Sequence, residues 1–417
     1  MLAPSPTGPG TAPESMIVLG KLAVTWAVMR SLRTAPAPRP GGEGGHPVKR
    51  PTIADVARRA GVTKAAVSFA LNNQPGVSAT TRARILAIAA EVGFQPSSAA
   101  RALSDGRAGA FGLVIDRPAR MLGIEPYFMQ LISGIQAELA GNHVTLLFTL
   151  AEDQDAEISL YRTWWAQRRV DGVFLVDLQL GDRRVPVLAA LNIPTLVIGT
   201  SRGSGSLPAI WQDIQTATET AVAHLAGLGH RRIGRVSGVP RYWHTKSRTD
   251  AFRDVARAAG IDVVSVEADD TGELVARATH ELLRGARPPT AILYDNDVMA
   301  VAGLAEAQRM GTGVPTDLSV MAWDDSVLCE LVHPALTALR RDVAAVGAEA
   351  ARRLSQMTAG AEVGDFQEPS PVLMVRESTG PGPPGLPPAV TGAAARVSAD
   401  DQESRSGFAF AAQPVLG

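Results

Sequence analysis

Residues 52 to 72, TIADVARRAGVTKAAVSFALN, restrict what this chain can be more than any other stretch. Thr52 followed three positions later by Asp55 has the form of a capping box, Ile53, Val56, Ala57 and Ala60 recur at helical spacing, and Gly61 supplies a left-handed stop. A second helix starts at Thr63, with Val67 and Leu71 on one face and Lys64, Ala65, Ser68, Phe69 and Asn72 on the other. Ala57 and Ala60 are small enough for two short helices to cross closely, so the spacing predicts a helix-turn-helix. A helix pair inside a larger core is the plainer alternative. Ser78, after the Pro75-Gly76 turn, opens a third helix that points Ile85, Ile88 and Val92 inward and stops at Gly93.

Charge separates the two readings. Between Lys49 and Arg107 nine basic residues face only Asp55, Glu91 and Asp105, a surplus of six, whereas the whole chain has a formal net charge of −1. A positive segment on a near-neutral chain is an electrostatic footprint for phosphates. TIADVARRAGVTKAAVSFALN and the following GVSATTRARILAIAAEVGFQPSSAARAL resemble the DNA-binding headpiece and hinge of the lactose and purine repressor family of bacterial transcription factors, and the resemblance runs on to VRESTG near Thr379. It implies that the second helix enters the major groove, with Lys64, Ala65 and Phe69 at base edges, in a DNA-facing set that also holds Thr52, Thr63, Ser68 and Asn72. Lys64 can donate to a guanine, while Ala65 and Phe69 offer apolar contact, for instance to a thymine methyl. The segment Pro96 to Leu103 is too short to stay helical alone. By the resemblance it is a hinge helix that forms when two protomers pair on DNA, with Ser98, Arg101 and Leu103 at the minor groove and the leucine wedged between base steps. A plain linker is the alternative.

From Gly109 onward the pattern changes to α/β. FGLVI, VTLLF, GVFLV, TLVIG, RIGRVSG, DVVSV, AILY and LSVMAW are short apolar runs, most of them separated by helical stretches, as expected for buried strands of parallel sheets. So many strands in one segment suggest two sheets. The resemblance implies a two-lobed effector domain like periplasmic sugar-binding proteins. The expected organisation is a disordered extension at 1–47, the headpiece at 48–96, hinge helix and linker at 97–108, the effector-binding and dimerisation domain at 109–379, and a disordered tail at 380–417. Within the effector domain the first lobe is expected at about 109–208 and 326–340, and the second at about 209–325 and 341–379. Three crossovers would form a hinge, with a ligand cleft at the carboxyl ends of the strands.

For that cleft the resemblance nominates Tyr127 and Phe128 after the first strand, Arg248 in KSRTDAF and Asp297 in YDNDVMA. An arginine fork and a carboxylate can grip vicinal hydroxyls, and an aromatic ring can cover a sugar's apolar face. Trp243 and Trp323 are nominated as further aromatics, one from a neighbouring loop and one in place of the more usual Phe or Tyr. Each has a plainer role: Tyr127 as core, Arg248 paired with Asp250, and Asp297 or Asp213 as a helix cap.

An enzyme is not expected. Asp295 with Asp297 and Asp324 with Asp325 can be read as acid-base or metal-binding carboxylates, but the histidines are scattered and neither a phosphate loop nor a nucleophile elbow is present. No metal or cofactor is expected. Ile17 to Met29 is short and interrupted by Lys21, which argues against a membrane span, and the single cysteine, Cys329, fits a reducing cytoplasm. The expectation is a cytoplasmic, nucleoid-associated homodimer that represses transcription from a near-palindromic operator under control of a carbohydrate effector. An exported or cytoplasmic sugar-binding protein is the alternative, and it has no use for residues 49–107.

Overall fold

The computed structural model describes residues 51–94, 106–269 and 272–383. The proposed extension at 1–47, the hinge residues Ser98, Arg101 and Leu103, and the tail beyond 383 lie outside them. The chain divides into two compact units, Met1–Pro96 and Ser97–Gly417.

In the first unit three helices, α1 (Ile53–Ala60), α2 (Lys64–Leu71) and α3 (Ala79–Glu91), surround a small core of Val56, Ala57, Ala60, Val67, Ala70, Ile85 and Ala89. The Thr52–Asp55 capping box starts α1, and Gly61, at φ 64°, ends it in the left-handed region where a side chain is disfavoured. Thr63 and Ser78 cap α2 and α3 by accepting from the amides of Ala66 and Thr81.

The second unit runs β1 (Ala110–Ile115), α4 (Ala119–Leu122), α5 (Pro126–Gly141), β2 (Thr145–Leu150), α6 (Gln154–Ala166), β3 (Gly172–Leu175), α7 (Arg184–Leu191), β4 (Thr195–Gly199) and β5 (Ala209–Trp211). It continues through α8 (Ile214–Gly227), β6 (Arg232–Ser237), α9 (Trp243–Ala258), β7 (Asp262–Glu267), α10 (Gly272–Arg284), β8 (Ala291–Tyr294), α11 (Asp297–Arg309), β9 (Ser319–Ala322), α12 (Val327–Leu331), β10 (Thr337–Arg340), α13 (Val343–Thr358), β11 (Phe366–Gln367) and β12 (Val372–Met374). Two sheets result, ordered β11-β5-β4-β3-β1-β2 and β12-β10-β9-β8-β6-β7, parallel throughout except that β12 runs against β10. Helices cover both faces of each sheet, so the central strands are apolar on both sides, which is why they read as continuous apolar runs.

The lobes are bounded differently from the expectation. β5 pairs with β4, so residues 209–211 belong to the first lobe; β10 pairs with β9, which puts 326–340 in the second. Helix α13 packs on α5, and β11 pairs with β5, which returns 341–367 to the first lobe. The chain therefore crosses between lobes next to Gln212, Arg341 and Glu368. Sequence patterns mark a strand or helix but not which of two similar sheets it joins; β5, β11 and β12 are too short to show as apolar runs, and β10, TALR, is broken by polar residues at both ends.

Candidate functional site

On the headpiece Lys64, Ala65 and Phe69 are exposed along α2, Ser68 and Asn72 are half-buried beside them, and Thr52 and Thr63 are exposed at the starts of α1 and α2. Phe69, 39% exposed, lies against the Gly76 turn. The positive surplus is only partly available to a partner. Arg58 pairs with Asp55, Arg59 with Glu91 at 2.6 Å, and Arg82 binds the carbonyls of Phe69 and Gln74 and the Asn73 side chain, so it fixes the loop after α2.

In the second unit a cleft opens between the lobes, lined from both. Its polar residues follow strand ends: Asp177 after β3, Thr200 after β4, Gln212 after β5, Asp295 and Asn296 after β8, Asp324 after β9, and Arg341 after β10. This is where an open α/β sheet presents side chains at the amino ends of the following helices. Of the expected ligand residues, Tyr127, Phe128 and Arg248 do line it. Phe128 is a buried core residue that touches the cleft edge-on to Tyr127, and the Arg341 guanidinium lies 5.5 Å from the Tyr127 ring centre.

Arg248 comes from α9. One Nη donates to the Asp295 carbonyl at 2.6 Å, and the guanidinium lies 4.5 Å from the Trp323 ring centre. It therefore does not make the surface pair with Asp250, which binds Lys246 at 2.6 Å instead. Burial lowers its pKa, and Asp324 opposes that shift. Trp323 is itself buried under Arg248, so it acts as a support and not as a lining residue.

Two further expectations are corrected. Trp243 packs against the first lobe's core beside Gly203, and its amide donates to the Leu178 carbonyl at 2.9 Å, so it joins the lobes and does not line the cleft. Asp297 faces a smaller neighbouring pocket and accepts from the Val298 amide, its pKa pushed up to about 6 by burial. Its neighbour Asn296 is both the cap of α11 and the cleft residue. Asp213 caps α8 through the Thr216 amide.

Sequence reasoning missed several cleft residues. Arg117 pairs with Asp177 at 2.8 Å and lies 4.8 Å from the ring centre of Tyr242, on which His244 is stacked. Burial pushes the His244 imidazole down to about 4, with Asp177 pulling the other way, so it is neutral at pH 7. The usable signal was position: each lies a few residues past a strand that the apolar runs did mark.

Two of the carboxylates that suggested an enzyme are held by arginines. Asp295 takes a double hydrogen bond from Arg235 at 2.7 and 2.8 Å, and Asp325 binds Arg340 and Arg376. Among the described residues no group of three or more His, Cys, Asp or Glu could hold a metal ion, and no helix is long and apolar enough to cross a membrane.

The comparisons fit this arrangement. Residues 52–97 match the model of bacterial regulatory proteins, lacI family, and residues 222–379 match a periplasmic binding protein-like domain. The HTH-type transcriptional regulator MalR of Streptomyces coelicolor is 31% identical over 357 residues, which cover 80% of this chain and 99% of that protein. The chain belongs to the LacI family. It is thus a DNA-binding transcriptional regulator and not an enzyme. The E. coli repressor CytR is 30% identical over 75% of this chain and 91% of its own. Among solved LacI-family structures, the lac repressor dimer bound to operator and an anti-inducer superposes with a TM-score of 0.72 at 25% identity, covering 80% of this chain and all of that one. The complex of the regulator CelR with cellobiose gives 0.61 at 26% identity, over 79% of this chain and all of that one.

Proposed function

We propose that the protein represses transcription as a homodimer on a near-palindromic operator, and that a sugar or sugar derivative held between the lobes controls its grip on DNA. One observation carries the ligand reading. Five residues that line the cleft, from both lobes, each hold a buried polar atom without a hydrogen-bond partner among the described residues: Gln212 Nε2, Thr245 Oγ, Arg248 Nε, Asp324 Oδ1 and Arg341 Nε. Leaving such groups unmet costs about 1–3 kcal/mol each, and a polyhydroxylated ligand, whose every hydroxyl both donates and accepts, satisfies donors and acceptors alike. The headpiece reading is supported by α2, on which Lys64, Ala65 and Phe69 are exposed; in this reading they meet base edges while the flanking positive charge meets phosphates.

Selection from a random DNA pool with the full chain should return a near-palindromic site, and a sugar that raises the melting temperature should change affinity for that site. Arg248→Ala should bind the site and ignore the sugar. A normal sugar response in Arg248→Ala would remove the cleft from the mechanism.

A further inference from the structure

The cleft does not end at Thr200. A second hollow adjoins it and shares Gly199, Thr200, Gln212, Ile214 and His244 as a common wall. Two features mark this outer hollow as built for a ligand. Trp211, at the end of β5, is half-buried and lines it, whereas Trp243 and Trp323 are committed to packing elsewhere. Ser247, only 8% exposed on α9, also lines it, and its hydroxyl has no partner among the described residues.

We infer that the outer hollow is a second carbohydrate subsite, so that the effector is a neutral disaccharide or longer oligosaccharide, with one ring in the inner cleft and the next against the Trp211 indole. This rests on reading the inner cleft as the effector site. The indole offers a flat apolar surface to a pyranose face, and the Ser247 hydroxyl can both donate to and accept from a sugar hydroxyl. Charge favours a neutral ligand. The charged residues of the wall are Arg202 and Arg253 against Asp213, Asp250 and Asp254, with Asp250 also bound to Lys246 at 2.6 Å and Asp254 to Arg253 at 3.0 Å, so the wall has no positive surplus to recruit a phosphate or carboxylate. Because the two hollows share a wall, linked rings can occupy both, and binding of one raises the effective concentration of the other.

Calorimetric titration of the full chain with glucose, galactose and mannose, and with maltose, cellobiose, lactose and trehalose, tests this directly. At least one disaccharide should bind, roughly tenfold or more tighter than its component monosaccharides. Trp211→Ala should cut that preference by roughly tenfold, the order of one aromatic contact, while Trp211→Phe keeps most of it and Ser247→Ala loses a smaller part. Equal affinity for monosaccharide and disaccharide, no disaccharide binding across the panel, or equal weakening of both classes by Trp211→Ala would overturn the second subsite. Failure of the underlying reading shows differently: a disaccharide whose binding survives Arg248→Ala is not in the cleft at all.

Discussion

His244 shows what one residue contributes when two lobes close over it. Its imidazole stacks on Tyr242 at 5.3 Å between centres, and Arg117, Arg248 and Asp177 act on it electrostatically. Because its folded pKa is about 4, below the ordinary 6.5, the folded protein takes up this proton less readily than the unfolded chain. The resulting contribution is complete above pH 6.5 and is lost as pH falls from 6.5 towards 4. His224 and His230 are also shifted down, and Asp177 is lowered too, so the total pH profile is shared among several groups. The contrast with His244→Gln isolates one of them. In urea unfolding at steps from pH 7.5 to 4.5, the wild type should lose more stability than the variant, and parallel profiles would refute the assignment. This histidine was not legible in the sequence, whereas Arg248 was, because the arginine sits in a recognisable motif and the histidine is defined only by what a second lobe brings beside it.

At the scale of elements, the association of α13 with the first lobe depends on two glycines. A Cβ added at Gly134 on α5 would lie 1.9 Å from the Ala344 carbonyl oxygen, and one at Gly347 on α13 would lie 2.3 Å from the Leu131 oxygen. The helices thus pack backbone to backbone. Gly134→Ala and Gly347→Ala should each force them apart and destabilise the second unit by about 1–3 kcal/mol or more, despite alanine's better helix propensity. Denaturant midpoints measure this, and a gain in stability from either substitution would mean the contact is looser than described. The same contact explains the misplaced lobe boundary. The helical periodicity of 343–358 is plain in the sequence, but its partner is chosen by two glycines more than two hundred residues apart. The strands were legible where both faces are buried, as in β1, β4 and β8, and illegible where they are two to four residues long at a sheet's edge or crossover, as in β11 and β12.

For the whole molecule the decisive feature is that the lobes are joined by three crossovers whose side chains meet. Arg341 on the second crossover binds Gln212 of the first at 3.3 Å and approaches Glu368 of the third at 3.7 Å; Gln212 and Glu368 are buried and the Arg341 side chain is 8% exposed. Burial pushes the Glu368 carboxyl up, and the Arg341 charge pulls it back down. Any rotation of one lobe on the other turns about these strands, and Arg341 also faces the cleft, so a ligand that engages its Nε touches the hinge itself. Across the mouth the Leu180 amide donates to the Arg241 carbonyl and the Trp243 amide to the Leu178 carbonyl, which ties the lobes together at a second place. Removing only Arg341 leaves Glu368 buried without its cation, at a cost of about 3–5 kcal/mol. Arg341→Met should therefore be strongly destabilised, and adding Glu368→Gln should recover much of the loss because no charge is then stranded. A full thermodynamic cycle by urea unfolding gives the coupling, and additive single-site losses would show that the pair does not act as a clamp. In the recovered double variant the sugar should still bind through Arg248 and Asp324, yet its effect on DNA affinity should shrink, since the ligand no longer reaches the hinge through Arg341. An undiminished sugar effect in that variant would place the coupling in the mouth contacts instead.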